Sequence, residues 1–204
     1  MNRVEVNRYM QGLADADYLV GEGDVEPNRE AQQLRELLRT LQRHEDRLDI
    51  AWCGAAVAQI FRQHPWLQSF QLDVWIESVY NDEGGSFMAH YARFRDIVAC
   101  LGAEVPHELQ DEDGLLDPDA ASDLLDTEHE DEEFEFCAPF IASGNGDSCM
   151  LALDRGVMAP LLAAAVVSGL TVARLLWPDH DALRSFDQPS PIPGAAIAGA
   201  GSPA

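Results

Sequence analysis

From Arg29 onward, apolar side chains return at helical intervals at Leu34, Leu37, Leu38, Leu41 and Leu48, and this spacing predicts a helix. The next stretch, residues 50–61, is apolar on most faces and is expected to be buried, with Pro65 ending it. The pattern is equally consistent with one long helix over 29–61 and with two packed ones. The period then changes. Phe70, Leu72, Val74, Ile76, Ser78 and Tyr80 alternate with Gln71, Asp73, Trp75, Glu77 and Val79, which predicts a strand with one apolar face. Asn81-Asp82-Glu83-Gly84-Gly85 supplies turn chemistry, and residues 87–94 return as a second strand, giving a β-hairpin. Residues 97–101 continue that strand or begin a short helix.

The same reading finds a second β pair, with 134–141 as one strand, Ser143-Gly144-Asn145-Gly146-Asp147 as the turn and 149–153 as the return. Residues 119–126 suit a short helix, 128–133 a solvated loop or the start of a strand, and 157–177 a long helix. Before Arg29, residues 6–20 contain a short helix-like run, and 21–24 read as a loop. The predicted class is α+β: a mainly antiparallel sheet of two β-hairpins packed against long helices in a single domain. It divides into an N-terminal segment 1–28, a globular part 29–186 and a Pro/Gly/Ala-rich tail 187–204 expected to be flexible.

Charge changes this picture. The chain of 204 residues carries 36 acidic and 13 basic side chains, a net charge of −23, and every basic residue is Arg. Residues 104–135 hold 15 acidic side chains and no basic one. Such a field repels phosphate, so direct nucleic-acid binding and docking on an anionic membrane are disfavoured. The absence of lysine fits a GC-rich genome or a salt-adapted host. No secretory signal is visible at Met1-Asn2-Arg3-Val4-Glu5, and Cys53, Cys100, Cys137 and Cys149 form no CxxC pair, so the expected address is a reducing cytoplasm with thiols acting as small hydrophobes.

Candidate chemistry is sparse. The 18 uncharged residues 156–173 approach the length of a membrane span, but Pro160, Ser168, Gly169 and Thr171 favour a buried core helix. Arg35, Arg39, Arg43 and Arg47 form a stripe suited to phosphate or to a carboxylate-rich partner; pairing within the chain, with the acidic segment as the obvious mate, is the plainer expectation. None of the six histidines lies in a metal-binding motif. Glu128-His129-Glu130 and Asp179-His180-Asp181 read as surface decoration. His90 on the hairpin can face Asp73 or Glu77, as an acid–base pair or as an ordinary cross-strand contact. A reactive thiol is disfavoured by the negative field, and no cofactor or metal is expected.

The acidic segment is therefore either a solvated linker or a recognition surface for a basic protein partner. On the second reading the partner-binding residues are Asp111, Glu112, Asp113, Asp117, Asp119, Asp123, Asp126, Glu128, Glu130, Asp131, Glu132 and Glu133, and the protein is a non-enzymatic inhibitor of the immunity or antitoxin type, or a DNA mimic. Two alternatives stand beside it. One is an acidic secretion or assembly chaperone, working as a homodimer with an apolar groove, by analogy of composition with bacterial export chaperones. The other is an enzyme built from His90, Asp73, Glu77 and Tyr80.

Overall fold

The computed structural model describes residues 11, 13–20, 24–80, 84–141 and 148–184. A two-stranded antiparallel hairpin, β1 (Tyr18–Val20) and β2 (Val25–Pro27), leads into helix α1 (Arg29–Gln63). Asn28 joins the two. Its Oδ1 accepts from Ala31 N at 2.8 Å and from Asp17 N at 3.0 Å, while its Nδ2 donates to Asp15 O at 2.7 Å, so one side chain caps the helix and anchors the hairpin. The question of one helix or two resolves as one, because no proline or turn sequence interrupts 29–63 and alanines at 51, 55, 56 and 58 sustain it. Of the helix-like run expected over 6–20, Tyr18–Val20 is a strand, and residues 1–10 lie outside the described part.

Helix α1 has two unlike halves. Ile50, Cys53, Gly54, Val57, Ala58, Ile60 and Phe61 are buried, whereas in the half before Ile50 only Ala31 is. The buried half crosses α5 (Gly169–Leu176) at very short range. A Cβ built on Gly54 would stand 2.3 Å from Gly169 O, and one on Gly169 would stand 2.0 Å from Ala51 O. Only glycine at both positions permits this approach.

The first predicted hairpin is present and longer than expected. β3 (Leu67–Tyr80) pairs antiparallel with β4 (Ser86–Ala99), with Leu72 opposite Phe94 and Ile76 opposite His90. Residues 97–99 continue the strand past an irregularity in which Ser69 pairs with Val98 and Gln71 with Arg95. Asp96 sits there with φ 48°, as an extra residue in a bulged strand does. Phe70, Leu72, Val74 and Ile76 turn to the core.

The second predicted β pair is corrected. Glu133–Cys137 is a helix, α3, and β5 (Ser148–Asp154) pairs with the free edge of β3, giving the order β4-β3-β5. Short apolar runs do not separate strand from helix by period alone; here Phe136 and Cys137 are adjacent and both buried, a helical rather than an alternating signature. The turn expected at 143–147 and the tail at 187–204 lie outside the described residues. The α+β class holds, with two antiparallel sheets.

The long helix expected over 157–177 is two, α4 (Arg155–Leu162) and α5, followed by α6 (Asp181–Arg184). Ser168-Gly169 restarts the chain so that Gly169 meets Gly54. Arg155 fastens this region to the end of α1: its Nε donates to Leu67 O at 2.6 Å and its Nη2 to His64 O at 2.6 Å and to Phe61 O. Phe61 O and His64 O lie at the end of α1, where carbonyls lack intrahelical partners, and Leu67 O opens β3. Among the described residues no helix is long and apolar enough to cross a membrane.

Candidate protein-binding surface

The acidic segment is folded. Asp111 Oδ1 accepts from Asp113 N and Leu115 N, both at 2.9 Å, and closes a turn in which Gly114 takes φ 76°. Asp117 caps α2 (Pro118–Glu128), accepting from Asp119 N at 3.0 Å and Ala120 N at 3.2 Å, with proline at the first helical position. Ala121 and Leu125 on α2 face the core. This helix lies along the outer edge of β4 and satisfies its backbone: Phe94 N donates to Asp126 Oδ1 at 2.8 Å, and Ser122 Oγ donates to Phe94 O. Ala92 N donates to Glu133 Oε1 at 3.4 Å. A sheet edge that would otherwise invite pairing is thereby covered. Burial raises the Asp126 carboxyl above the usual carboxylate range, against the lowering effects of the Phe94 hydrogen bond and of Arg93.

The 128–133 run is neither an open loop nor a strand: Glu128 ends α2, Glu130–Glu132 form a 3₁₀ turn and Glu133 begins α3. Glu128 Oε2 lies 2.9 Å from His64 Nε2, and Glu132 Oε2 lies 2.7 Å from His129 Nδ1. His129, expected as surface decoration, is buried against Phe94 and Phe136, and its Nε2 has no partner among the described residues. Its burial was legible in one respect: Ala121, Leu125 and His129 recur every four residues on one helical face.

The twelve predicted partner-binding residues thus divide evenly. Asp111, Asp117, Asp126, Glu128, Glu132 and Glu133 are held by the fold. Glu112, Asp113, Asp119, Asp123, Glu130 and Asp131 are exposed, and among the described residues no cation pairs with their side chains. The arginine stripe does not supply one. Arg39 and Arg43 pair with Glu36 on their own helix at 3.6 and 3.7 Å, and Arg35 donates to the Tyr18 hydroxyl of the hairpin.

Next to this surface is a cleft of about 730 Å³ that sequence reasoning did not find. Trp52, Gln59, Gln63 and His64 form one wall, and Glu128, His129 and Glu132 the other. Both histidines are oriented by a carboxylate, but His64 Nε2 and His129 Nδ1 are already engaged, and His129 Nε2 is sealed in the core. What the cleft offers a visitor is two part-exposed carboxylates, two amides and an indole, a set that suits a cationic side chain. Among the described residues no group of three or more His, Cys, Asp or Glu side chains is placed to hold a metal ion.

The hairpin residues considered for catalysis are not brought together. The register pairs even-numbered positions with even-numbered ones, so His90 lies on the opposite face of the sheet from Asp73 and Glu77. His90 packs against Phe134, Asp73 pairs with Arg95 at 3.1 Å, and Tyr80 is exposed at the far end of the strand. His180 is held within the fold, its Nε2 donating to Pro139 O at 2.6 Å and its Nδ1 accepting from Ala182 N at 3.2 Å, and Asp179 pairs with Arg184. All four cysteines are free, and burial pushes the Cys137 thiol up to about 11 and that of Cys53 higher still. Comparison with protein-family models, with curated proteins and with solved structures found no match to this chain.

Proposed function

We propose that this protein is a non-enzymatic binding protein that engages a basic protein partner, as an inhibitor of the immunity or antitoxin type or as a DNA mimic does. One observation carries the reading: six exposed carboxylates (Glu112, Asp113, Asp119, Asp123, Glu130 and Asp131), with no cation paired to them among the described residues, stand on a frame that six neighbouring carboxylates hold in place. A fixed array loses less conformational entropy on binding than a flexible acidic linker, and its field steers a basic partner toward it. The adjoining Trp52 cleft offers a place for one arginine or lysine of that partner. Four unpaired thiols suit the reducing cytoplasm.

The test is affinity capture from the native cell at low and high salt, with mass spectrometry of what is retained. A near-stoichiometric basic protein that dissociates as salt rises is the expected result. Replacing the six exposed carboxylates by Asn or Gln abolishes its capture without altering the far-ultraviolet circular dichroism. Retention of the same partner by that variant sinks the proposal. A secretion or assembly chaperone is the second reading, favoured by a different observation, the mainly apolar groove that Leu48, Ala51, Trp52, Phe134 and Ala138 form with Asp49 and Glu135; its client is retained at high salt.

A further inference from the structure

Half of α1 carries an apolar row that the rest of the described chain leaves uncovered. Leu38, Leu41 and Leu48 are 56%, 54% and 69% exposed, and Leu34 and Leu37 are half-buried. At about 100° per residue, Leu34, Leu37, Leu41 and Leu48 fall within an arc of about 60°, and the core residues Cys53, Val57, Ile60 and Phe61 lie on the far side of the helix. The row is therefore a second apolar face and not an extension of the one that meets the sheet. Its spacing of three, four and seven residues is that of a coiled-coil seam, with Leu34, Leu41 and Leu48 at one heptad position and Leu37, His44 and Ala51 at the other. The row runs on into a groove of about 470 Å³ lined by Leu48, Ala51, Trp52, Phe134 and Ala138 together with Asp49 and Glu135, where Phe134 is itself exposed.

We infer that this face pairs with the same face of a second copy of the chain, the two α1 helices running antiparallel. Three features select that occupant and direction. First, the two heptad positions interlock in such a register: Leu34 meets the second copy's Ala51, Leu37 its Leu48, and Leu41 its His44. Secondly, charge along the helix is segregated. From Arg29 to Arg43 there are four arginines and two glutamates, and from His44 to Asp49 three carboxylates and one arginine, so reversal sets the positive end of each helix beside the negative end of the other. Thirdly, the acidic segments lie in the bodies of the two copies. A parallel pair would set those bodies side by side, whereas the antiparallel pair separates them by the length of the projecting half-helix, about 30 Å for some twenty residues, beyond a Debye length of about 8 Å at physiological salt. The same arrangement carries the hairpin of each copy, with its exposed Leu19, Val20 and Val25, toward the groove of the other. Seam and groove are then covered together, as an interface of about 1,000 Å² requires.

This goes beyond the acidic-surface reading and is tested separately from it. Sedimentation equilibrium of the full chain gives two chain masses for the wild type, and one for Leu41→Glu/Leu48→Glu at the same concentration. Both positions are exposed, so the circular dichroism of the variant is unchanged. For direction, chains with Cys100 and Cys149 replaced by serine receive either Leu37→Cys or Leu48→Cys. A disulfide between copies forms in the mixture of the two and not in either alone. A monomeric wild type, a dimer indifferent to the double glutamate variant, or cross-linking of Leu37→Cys with itself each overturns the inference. Neutralising the six exposed carboxylates leaves the dimer mass unchanged.

Discussion

Asp123 and Asp126 stand one turn apart on α2 and do different work. The Asp126 carboxylate accepts from Phe94 N and is partly buried, whereas Asp123 faces solvent. Replacing Asp126 by Ala leaves a backbone N–H of β4 without its partner and is expected to lower unfolding stability by about 1–3 kcal/mol. Asp126→Asn keeps an acceptor oxygen and recovers most of the loss, and Asp123→Ala stays within about 0.5 kcal/mol of wild type. Urea unfolding of the three variants measures this, and equal losses at 123 and 126 refute the assignment. Nothing in the acidic run distinguishes these two residues, because the difference lies in a strand edge remote in sequence. Their charge was legible, and their division into frame and surface was not.

Among the elements, alternation made β3 and β4 readable, and helical spacing made α1 readable. What local pattern could not supply was the partner of each apolar face. The leucines of α1 gave the helical spacing, but the core lies on the other face. The run around Phe134 and Phe136 read as a strand because glutamates alternate with the rings, a pattern a five-residue helix produces equally well. The crossing of α1 and α5 depends on two glycines whose meaning appears only when the helices meet. Gly54→Ala drives a methyl into the Gly169 carbonyl and is expected to cost about 1–3 kcal/mol or more, read as a lowered thermal midpoint. Gly102→Ala is the contrasting control in steric terms, since nothing lies within 4 Å of a Cβ there, although its φ of 75° favours glycine. A Gly54→Ala midpoint equal to wild type contradicts the close packing.

For the molecule as a whole, like charge is the dominant electrostatic fact. Burial raises the carboxyl of Asp49 and then Glu45, Asp46 and Glu135 raise it further, while burial followed by Asp123 acts in the same sense on Asp126. A raised carboxyl holds its proton in the native state where the unfolded chain has lost it. Its contribution to stability therefore falls as pH rises from the ordinary carboxylate value through the folded one, and does not return above it. With a net charge of −23 added, the thermal midpoint is expected to rise as pH is lowered from about 7 toward about 5, and to rise with added salt at neutral pH. A midpoint that falls with salt means that attractive pairs outweigh repulsion.

The placement of β5 has a consequence for the order in which the protein is made. β3 is the central strand, but its second neighbour emerges from the ribosome only after the whole acidic segment. Until then the nascent chain displays the unpaired side of Phe70–Trp75, an edge that invites pairing between chains. The stretch synthesised in that interval contains no basic residue from 104 to 135, and its accumulated charge keeps neighbouring nascent chains apart. Completion of Ser148–Asp154 fills the edge, and Arg155, the next residue to appear, ties the new strand to the carbonyls of His64, at the end of α1, and of Leu67, at the start of β3.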